Sequence, residues 1–206
     1  MSYSQHINKI VKVTAYIVYP IYKIHNVLIK RLLTILSSNL IEINIKRMGN
    51  SVGENFRMGK NGLLKINKGA KITIGKNVLI NEDVYINVRK NAILKIGDNV
   101  HIGKGVRISS FESIVIGDDV LIASYCNLID HNHTFDLKSP ASTTHYDIDK
   151  IKLEDGCWLG TKVQVNKGVT IGKYSIVGSN SVVTKDVLKS CVYAGVPSKK
   201  IKCLNK

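Results

Sequence analysis

The feature that most restricts this chain is a ladder of aliphatic residues six positions apart. It runs through Ile74, Ile80 and Ile86, then Ile96, Ile102 and Ile108, then Ile116, Ile122 and Leu128. After a gap it resumes through Leu153, Leu159, Val165, Ile171, Val177 and Val183. A period of six matches neither the helical repeat nor the two-residue alternation of a flat strand. It matches a short strand followed by a tight corner, three of which close one triangular turn of a parallel β-helix. Each ladder residue then points into the prism and stacks on its counterpart one turn later. The next position is usually small or turn-forming, as at Gly75, Asn81, Gly97, Gly103, Gly117 and Gly160. We read it as a corner where a Cβ would be costly at positive φ. Four positions after the ladder residue comes Val or a small side chain, Cys126 and Cys157 among them. A cysteine there is expected to fill the core rather than to react.

The ladder also measures its own interruptions. Counterparts should be one eighteen-residue turn apart, yet Ile74 to Ile96 is 22, Ile96 to Ile116 is 20 and Ile116 to Leu153 is 37. The last gap requires a long loop at about 130–150. It opens with "LIDHNHTFDL" and carries His131, His133, Pro140, His145 and Tyr146, with Asp130 and Asp136 around the first histidine pair. Loops held off a rigid scaffold are where function concentrates. Two loop histidines taken alone are ordinary surface residues.

Before residue 50 the period is helical. Ile21, Ile24, Leu28, Leu32 and Ile35 fall on one face, with Lys23, Asn26, Lys30 and Thr34 opposite. Pro20 divides this region into two helical segments. Between Lys9 and Arg47 there are seven basic residues against one acid, Glu42. Such a stretch suits an anionic membrane surface, or packing on its own or a neighbouring subunit. The longest uncharged runs, 13–22 and 32–41, are half the roughly 20 residues that a bilayer span needs. No small-residue cleavage site follows the first run, so no signal peptide is expected. The division is therefore a helical region over 1–47 and a β-helix domain over 48–206, with a C-terminal segment at about 187–206.

With 206 residues and 44% hydrophobic side chains, the chain can bury a core. Its net charge of +15 suits a polyanionic partner or a well-solvated surface. Nucleic acid is not expected, because there is no zinc-finger spacing and aromatics are only 6%. The four cysteines, Cys126, Cys157, Cys191 and Cys203, form no C-x-x-C pair, so we read free thiols in a reducing cytoplasm.

Three segments, "IGDDVLIASYCNLIDHNH", "WLGTKVQVNKGVTIGKYSIVGSNSVVTKDV" and "AGVPSKKIK", resemble the hexapeptide-repeat acetyltransferases. The likeness covers about residues 60–202. It implies an all-β, left-handed parallel β-helix with one protruding loop, assembled as a homotrimer. The implied activity is transfer of an acetyl group from acetyl-CoA to a hydroxyl or amine. Left-handedness comes from the resemblance alone, since the usual crossover rule favours the right hand. By the same likeness His131 matches the catalytic histidine and Trp158 a tryptophan lining the site. His133 and Asp130 are further catalytic or acceptor-binding candidates. Thr161, Ser179, Thr184 and Lys185 match positions along the CoA groove, and Pro197 a proline at its adenine end. Lys199 and Lys202 stand where the family has arginines that meet CoA phosphates; lysine supplies the charge without the bidentate geometry.

A neutral imidazole can take the proton of an attacking hydroxyl, and the thioester needs neither a metal nor an enzyme nucleophile. A carboxylate should hold the other ring nitrogen: Asp130, Asp136, Asp147, Glu154 or a residue of another subunit. The branch resemblance implies a carbohydrate acceptor: O-acetylation of a sugar in cell-surface polysaccharide or lipopolysaccharide biosynthesis, in the cytoplasm or at the inner membrane face. A free sugar, a sugar nucleotide or an antibiotic is the alternative acceptor. A zinc protein like the gamma-type carbonic anhydrases is the alternative of another class, with His101, His131 and His133 as ligands.

Overall fold

The structure, a computed structural model, describes residues 27–29, 32–135 and 145–204. Its main body is a three-sided prism of parallel strands. The first face stacks Ser51–Val52, Lys71–Ile74, Ile93–Ile96, Ser113–Ile116, Ile151–Leu153 and Thr170–Ile171. The second stacks Arg57–Met58, Leu79–Ile80, His101–Ile102, Leu121–Ile122, Trp158–Leu159, Ile176–Val177 and Cys191–Ala194, closed by the antiparallel strand Lys199–Cys203. The third stacks Leu63–Ile66, Tyr85–Val88, Arg107–Ser110, Asn127–Ile129, Gln164–Val165 and Val182–Val183. The chain visits the faces in that order on every coil.

All fifteen ladder residues point inward, and none is more than 3% exposed. The register stacks Ile74, Ile96, Ile116, Leu153 and Ile171 in one column. Each such burial is worth about 1.5–3 kcal/mol against an exposed side chain. The Val and small residues four positions on are buried too, including Cys126 and Cys157. Burial pushes these thiols up to about 11 and about 12, which leaves them protonated core fillers, as expected.

The corners work differently from the sequence expectation. Positive φ does not fall just after the ladder residue. It falls three positions after, at Asn77, Asp83, Asn99, Asp119, Tyr125 and Asn180 among others. Asparagine and aspartate tolerate that conformation, and here they also bond along the prism. Asn55 donates to Asn77, Asn77 to Asn99 and Asn99 to Asp119, at 2.9, 2.9 and 3.0 Å. The glycines next to the ladder serve close stacking instead. A Cβ on Gly75 would lie 2.6 Å from the carbonyl carbon of Gly97, and one on Gly97 2.7 Å from that of Gly117.

A helix ending at residue 47 packs across the start of the prism. Its inward side is Ser38 and Ile45, both buried, with Thr34 and Ile41 half-buried. The apolar stripe is not the side that packs on the prism: Leu28 and Leu32 are 59% and 57% exposed, while Thr34 turns inward. Polar anchoring sets the rotation. The Ser38 hydroxyl accepts from the buried Met58 N–H at 2.9 Å and donates to the Thr34 carbonyl at 2.7 Å. Residues 1–26, with Pro20 and the expected earlier helix, lie outside the described residues.

The cysteine expectation also needs correction. Cys191 and Cys203 face each other across the two antiparallel strands at the C-terminal end and form a disulfide, leaving only Cys126 and Cys157 as free thiols. Neighbours on paired strands need no C-x-x-C spacing to meet, and the cysteine count therefore gives no argument for a reducing compartment.

Candidate active site

All the ladder's excess lengths fall at one corner, where the third face passes to the first. Here the long loop leaves the prism. Its two ends form a short antiparallel hairpin, His131–His133 against Tyr146–Ile148. Residues 136–144, with Asp136 and Pro140, lie outside the described residues.

Asp130 is the pivot of this corner, and it is completely buried. One oxygen accepts from the Phe111 N–H at 2.7 Å. The other accepts from the N–H groups of Glu112 and Ser113 at 2.9 and 3.0 Å, and from the Ser110 hydroxyl at 3.3 Å. A buried carboxylate is tolerable only with such a set of donors. Its first oxygen also lies 3.3 Å from His131 Nδ1. A carboxylate offers only acceptors, so Nδ1 carries the hydrogen and Nε2 the lone pair.

The His131 ring is itself confined. It stacks on Phe111 with centroids 3.4 Å apart and planes 12° apart, and meets Tyr146 edge-on at 5.6 Å. Burial pulls the imidazole below its usual range. Asp130 opposes that shift, while His133 and Arg89 add to it. The ring is thus held neutral and oriented, as a general base must be. Of the candidate carboxylates among the described residues, Asp130 is the one within hydrogen-bonding distance of His131. Asp147 pairs with Lys167 at 2.9 Å, and Glu154 with Lys152 and the Lys173 N–H. His133 is exposed and lies beside Tyr146, 4.8 Å between centroids.

The remaining candidates are scattered over one chain. Trp158, 46% exposed, lies on the outer side of the second face, which is opposite the loop corner. It does not adjoin His131 within the chain. Thr161 and Ser179 share the corner between the second and third faces, where the Thr161 N–H donates to Ser179 Oγ at 3.1 Å. Thr184 and Lys185 follow the last strand of the third face and are exposed. Pro197 follows a cis peptide bond, and Lys199 and Lys202 lie exposed on the closing strand of the second face.

Among the described residues no group of three or more His, Cys, Asp or Glu side chains converges as a metal site requires. His101, considered above as a zinc ligand, is on the second face, its Nε2 accepting from Asn81 at 3.2 Å.

Two members of the cluster were not foreseen from the sequence. Phe111 stacks under His131, and the Arg89 guanidinium carbon lies 4.5 Å from the Phe111 ring centre and 4.9 Å from that of Tyr146. The signal that could have found them is the register. Val88 pairs with Ser110, and Ile129 with Ser109. Arg89, Phe111 and His131 therefore occupy the same corner position on three consecutive coils.

The chain is thus a three-sided parallel β-helix with a histidine–carboxylate pair at the base of its long loop. Known proteins share this architecture. A model described as bacterial transferase hexapeptide (six repeats) matches residues 150–185, and one described as hexapeptide repeat of succinyl-transferase matches 93–124. A putative lipopolysaccharide biosynthesis O-acetyl transferase of Escherichia coli is 42% identical over 108 residues, covering 48% of this chain and 55% of that protein. The galactoside O-acetyltransferase of the same organism is 37% identical over 93 residues, covering 45% of each. The chain thus spans about half the length of these curated relatives. Among solved structures, a mutant of AntD, an N-acyltransferase from Bacillus cereus, in complex with dTDP-4-amino-4,6-dideoxyglucose and coenzyme A, superposes with a TM-score of 0.69 at 25% identity. It covers 79% of this chain and 89% of that one. A hexapeptide-repeat acetyltransferase from Vibrio cholerae complexed with acetyl coenzyme A superposes at 0.52 and 25% identity, over 76% and 72%. The chain thus carries hexapeptide repeats and is similar to acetyltransferases built from them, and its prism matches their left-handed β-helix.

Proposed function

We propose that this protein transfers an acetyl group from acetyl-CoA to a sugar hydroxyl in the assembly of a cell-surface polysaccharide or lipopolysaccharide, with His131 as general base. The observation that carries this reading is the Asp130–His131 pair, a neutral imidazole held by a buried carboxylate with Nε2 left to act. In the step we envisage, Nε2 takes the acceptor hydroxyl proton as the oxygen attacks the thioester carbonyl. The tetrahedral intermediate collapses, the C–S bond breaks, and the imidazolium returns the proton to the departing CoA sulfur. Asp130 keeps Nδ1–H in place and stabilises the transient imidazolium. The 42% likeness to a putative lipopolysaccharide biosynthesis O-acetyl transferase supports the choice of acceptor.

Thr161, Ser179, Thr184, Lys185, Pro197, Lys199 and Lys202 would line the CoA groove, and Trp158 would wall the site. Because these residues lie on different faces of one prism, the reading calls for neighbouring copies. We take the working unit to be a homotrimer in which one chain's His131 meets another chain's groove. The helix leaves Leu28, Leu32, Leu33, Leu36 and Leu40 largely exposed, in a region rich in Lys and Arg. That supports peripheral attachment to the inner, anionic face of the membrane on the cytoplasmic side.

The test is CoA release with a panel of sugars and cell-surface glycans, for wild type and His131→Ala in parallel. The mutant is expected to lose at least about 10²-fold while still binding CoA. Activity retained in the mutant would remove His131 from the role of base, and a fully active monomer in sedimentation would overturn the shared groove.

A further inference from the structure

Arg89 stands out among the groups around His131. It is exposed, and among the described residues no carboxylate pairs with it. Arg89 is nevertheless not a loose surface side chain. Its guanidinium lies over two rings, Phe111 and Tyr146, and its backbone N–H donates to the Ser110 carbonyl at 2.9 Å. These two ring contacts confine the guanidinium, and its fork of five N–H donors has no carboxylate partner among the described residues.

Its position relative to the candidate base is bounded by Phe111. The guanidinium carbon is 4.5 Å from that ring centre and the imidazole centre 3.4 Å, so the two lie at most 7.9 Å apart with these distances laid end to end. One sugar residue can span that interval, placing a hydroxyl at Nε2 and an anionic substituent at the guanidinium.

We propose that Arg89 is an acceptor-binding residue that recognises an anionic oxygen group, carboxylate or phosphate, on the sugar to be acetylated. The proposal rests on His131 being the base and adds the substrate class: an acidic or phosphorylated sugar rather than a neutral one. Phe111 and Tyr146 act as positioning residues that hold the guanidinium in place. An arriving anion forms paired charge-assisted hydrogen bonds with the fork, and its negative charge offsets the repulsion between Arg89 and the imidazolium formed during transfer.

The experiment is equilibrium titration of the full chain with methyl galactoside, galacturonate and galactose 1-phosphate, by calorimetry, for wild type, Arg89→Lys and Arg89→Met. A charge-assisted bidentate contact predicts that wild type prefers at least one of the anionic probes by on the order of 10- to 100-fold. Arg89→Met should abolish that preference, and Arg89→Lys should keep part of it. The galacturonate and phosphate arms show which anion the site takes. Equal binding of all three probes by wild type, or a preference that survives in Arg89→Met, would overturn the proposal. His131→Ala is titrated alongside. If it keeps the anion preference, the Arg89 site stands whatever His131 does in turnover, so the two ideas fail separately.

Discussion

Replacing Asp130 by asparagine should damage stability and chemistry together, in amounts that the structure sets. The carboxylate faces four N–H donors, three of the backbone and His131 Nδ1, and the Ser110 hydroxyl, which also donates to the Ile93 carbonyl at 2.9 Å. An amide must turn its NH2 toward one subset of them. With the NH2 toward Glu112 and Ser113, two N–H groups lose their acceptor inside a fully buried pocket. With the NH2 toward Phe111 and His131, the Phe111 N–H loses its acceptor and the imidazole must accept at Nδ1. That moves its hydrogen to Nε2 and removes the lone pair that takes the acceptor proton. Each orphaned buried donor costs about 1–3 kcal/mol. We expect a loss of about 3 kcal/mol, which in a chain of this size is about 6–12 °C in Tm. Well below that Tm, kcat for CoA release should fall by about 10²- to 10⁴-fold with the CoA affinity kept, the range for a lost or mis-tautomerised base. Thermal denaturation and steady-state CoA release on the same preparation measure both. An Asp130→Asn protein with wild-type Tm and wild-type kcat would refute the accounting of this corner and the orienting role of Asp130 at once.

Because burial lowers the His131 pKa, the acid limb of kcat/KM should lie below the ordinary histidine value of 6.5; a limb above 6.5 would mean that Asp130 wins over desolvation. The linked stability has a definite sign. Below 6.5 the unfolded chain binds the proton first, so His131's contribution is present above 6.5 and is lost as pH falls through its lower folded value. At the corner ladder, Asn99 sits at φ 56° and bonds to both Asn77 and Asp119. Asn99→Ala should therefore be less stable than Asn99→Gly by about 1–2 kcal/mol, the left-handed penalty of a Cβ, and denaturant unfolding showing the reverse order would contradict that account. Ser38→Ala leaves the buried Met58 N–H without its acceptor and should cost about 1–3 kcal/mol; an unchanged melting curve would mean that the helix is not anchored there.

The prism was legible because its signal is redundant. Fifteen aliphatic residues at a period that only a three-sided coil produces leave little freedom, and every one is buried. The loop was legible as a defect in the same period. The packed side of the helix was not legible, because hydrophobic spacing reports which residues share a face, not which face packs. Leu28 and Leu32 share a face, but the inward side is set by the hydrogen bonds of Ser38 to Met58, a contact across 20 residues that periodicity does not contain. The disulfide was missed for a related reason, since Cys191 and Cys203 meet through strand pairing. At the site, His131 could be named from its motif, but its carboxylate could not be chosen among four, because the choice depends on which backbone N–H groups a neighbouring coil presents. Arg89 and Phe111 carry no motif, and only their register with His131 brings them together.

That register explains a number in the sequence that first looks incidental. The coil from Ile96 to Ile116 is 20 residues, two fewer than the coil before it. The two are missing from the loop corner. The passage from Val88 to Ile93 takes four intervening residues, and that from Ser110 to Ser113 only Phe111 and Glu112. A corner this short turns three successive N–H groups, of Phe111, Glu112 and Ser113, toward one point, as in the backbone nests that bind anions. Asp130 of the next coil fills that point. Lengthening the corner to the four residues of its neighbour would spread the donors apart and leave the carboxylate buried without them, at a cost that would expel it. The shortened coil, the buried Asp130 and the orientation of His131 are thus one device.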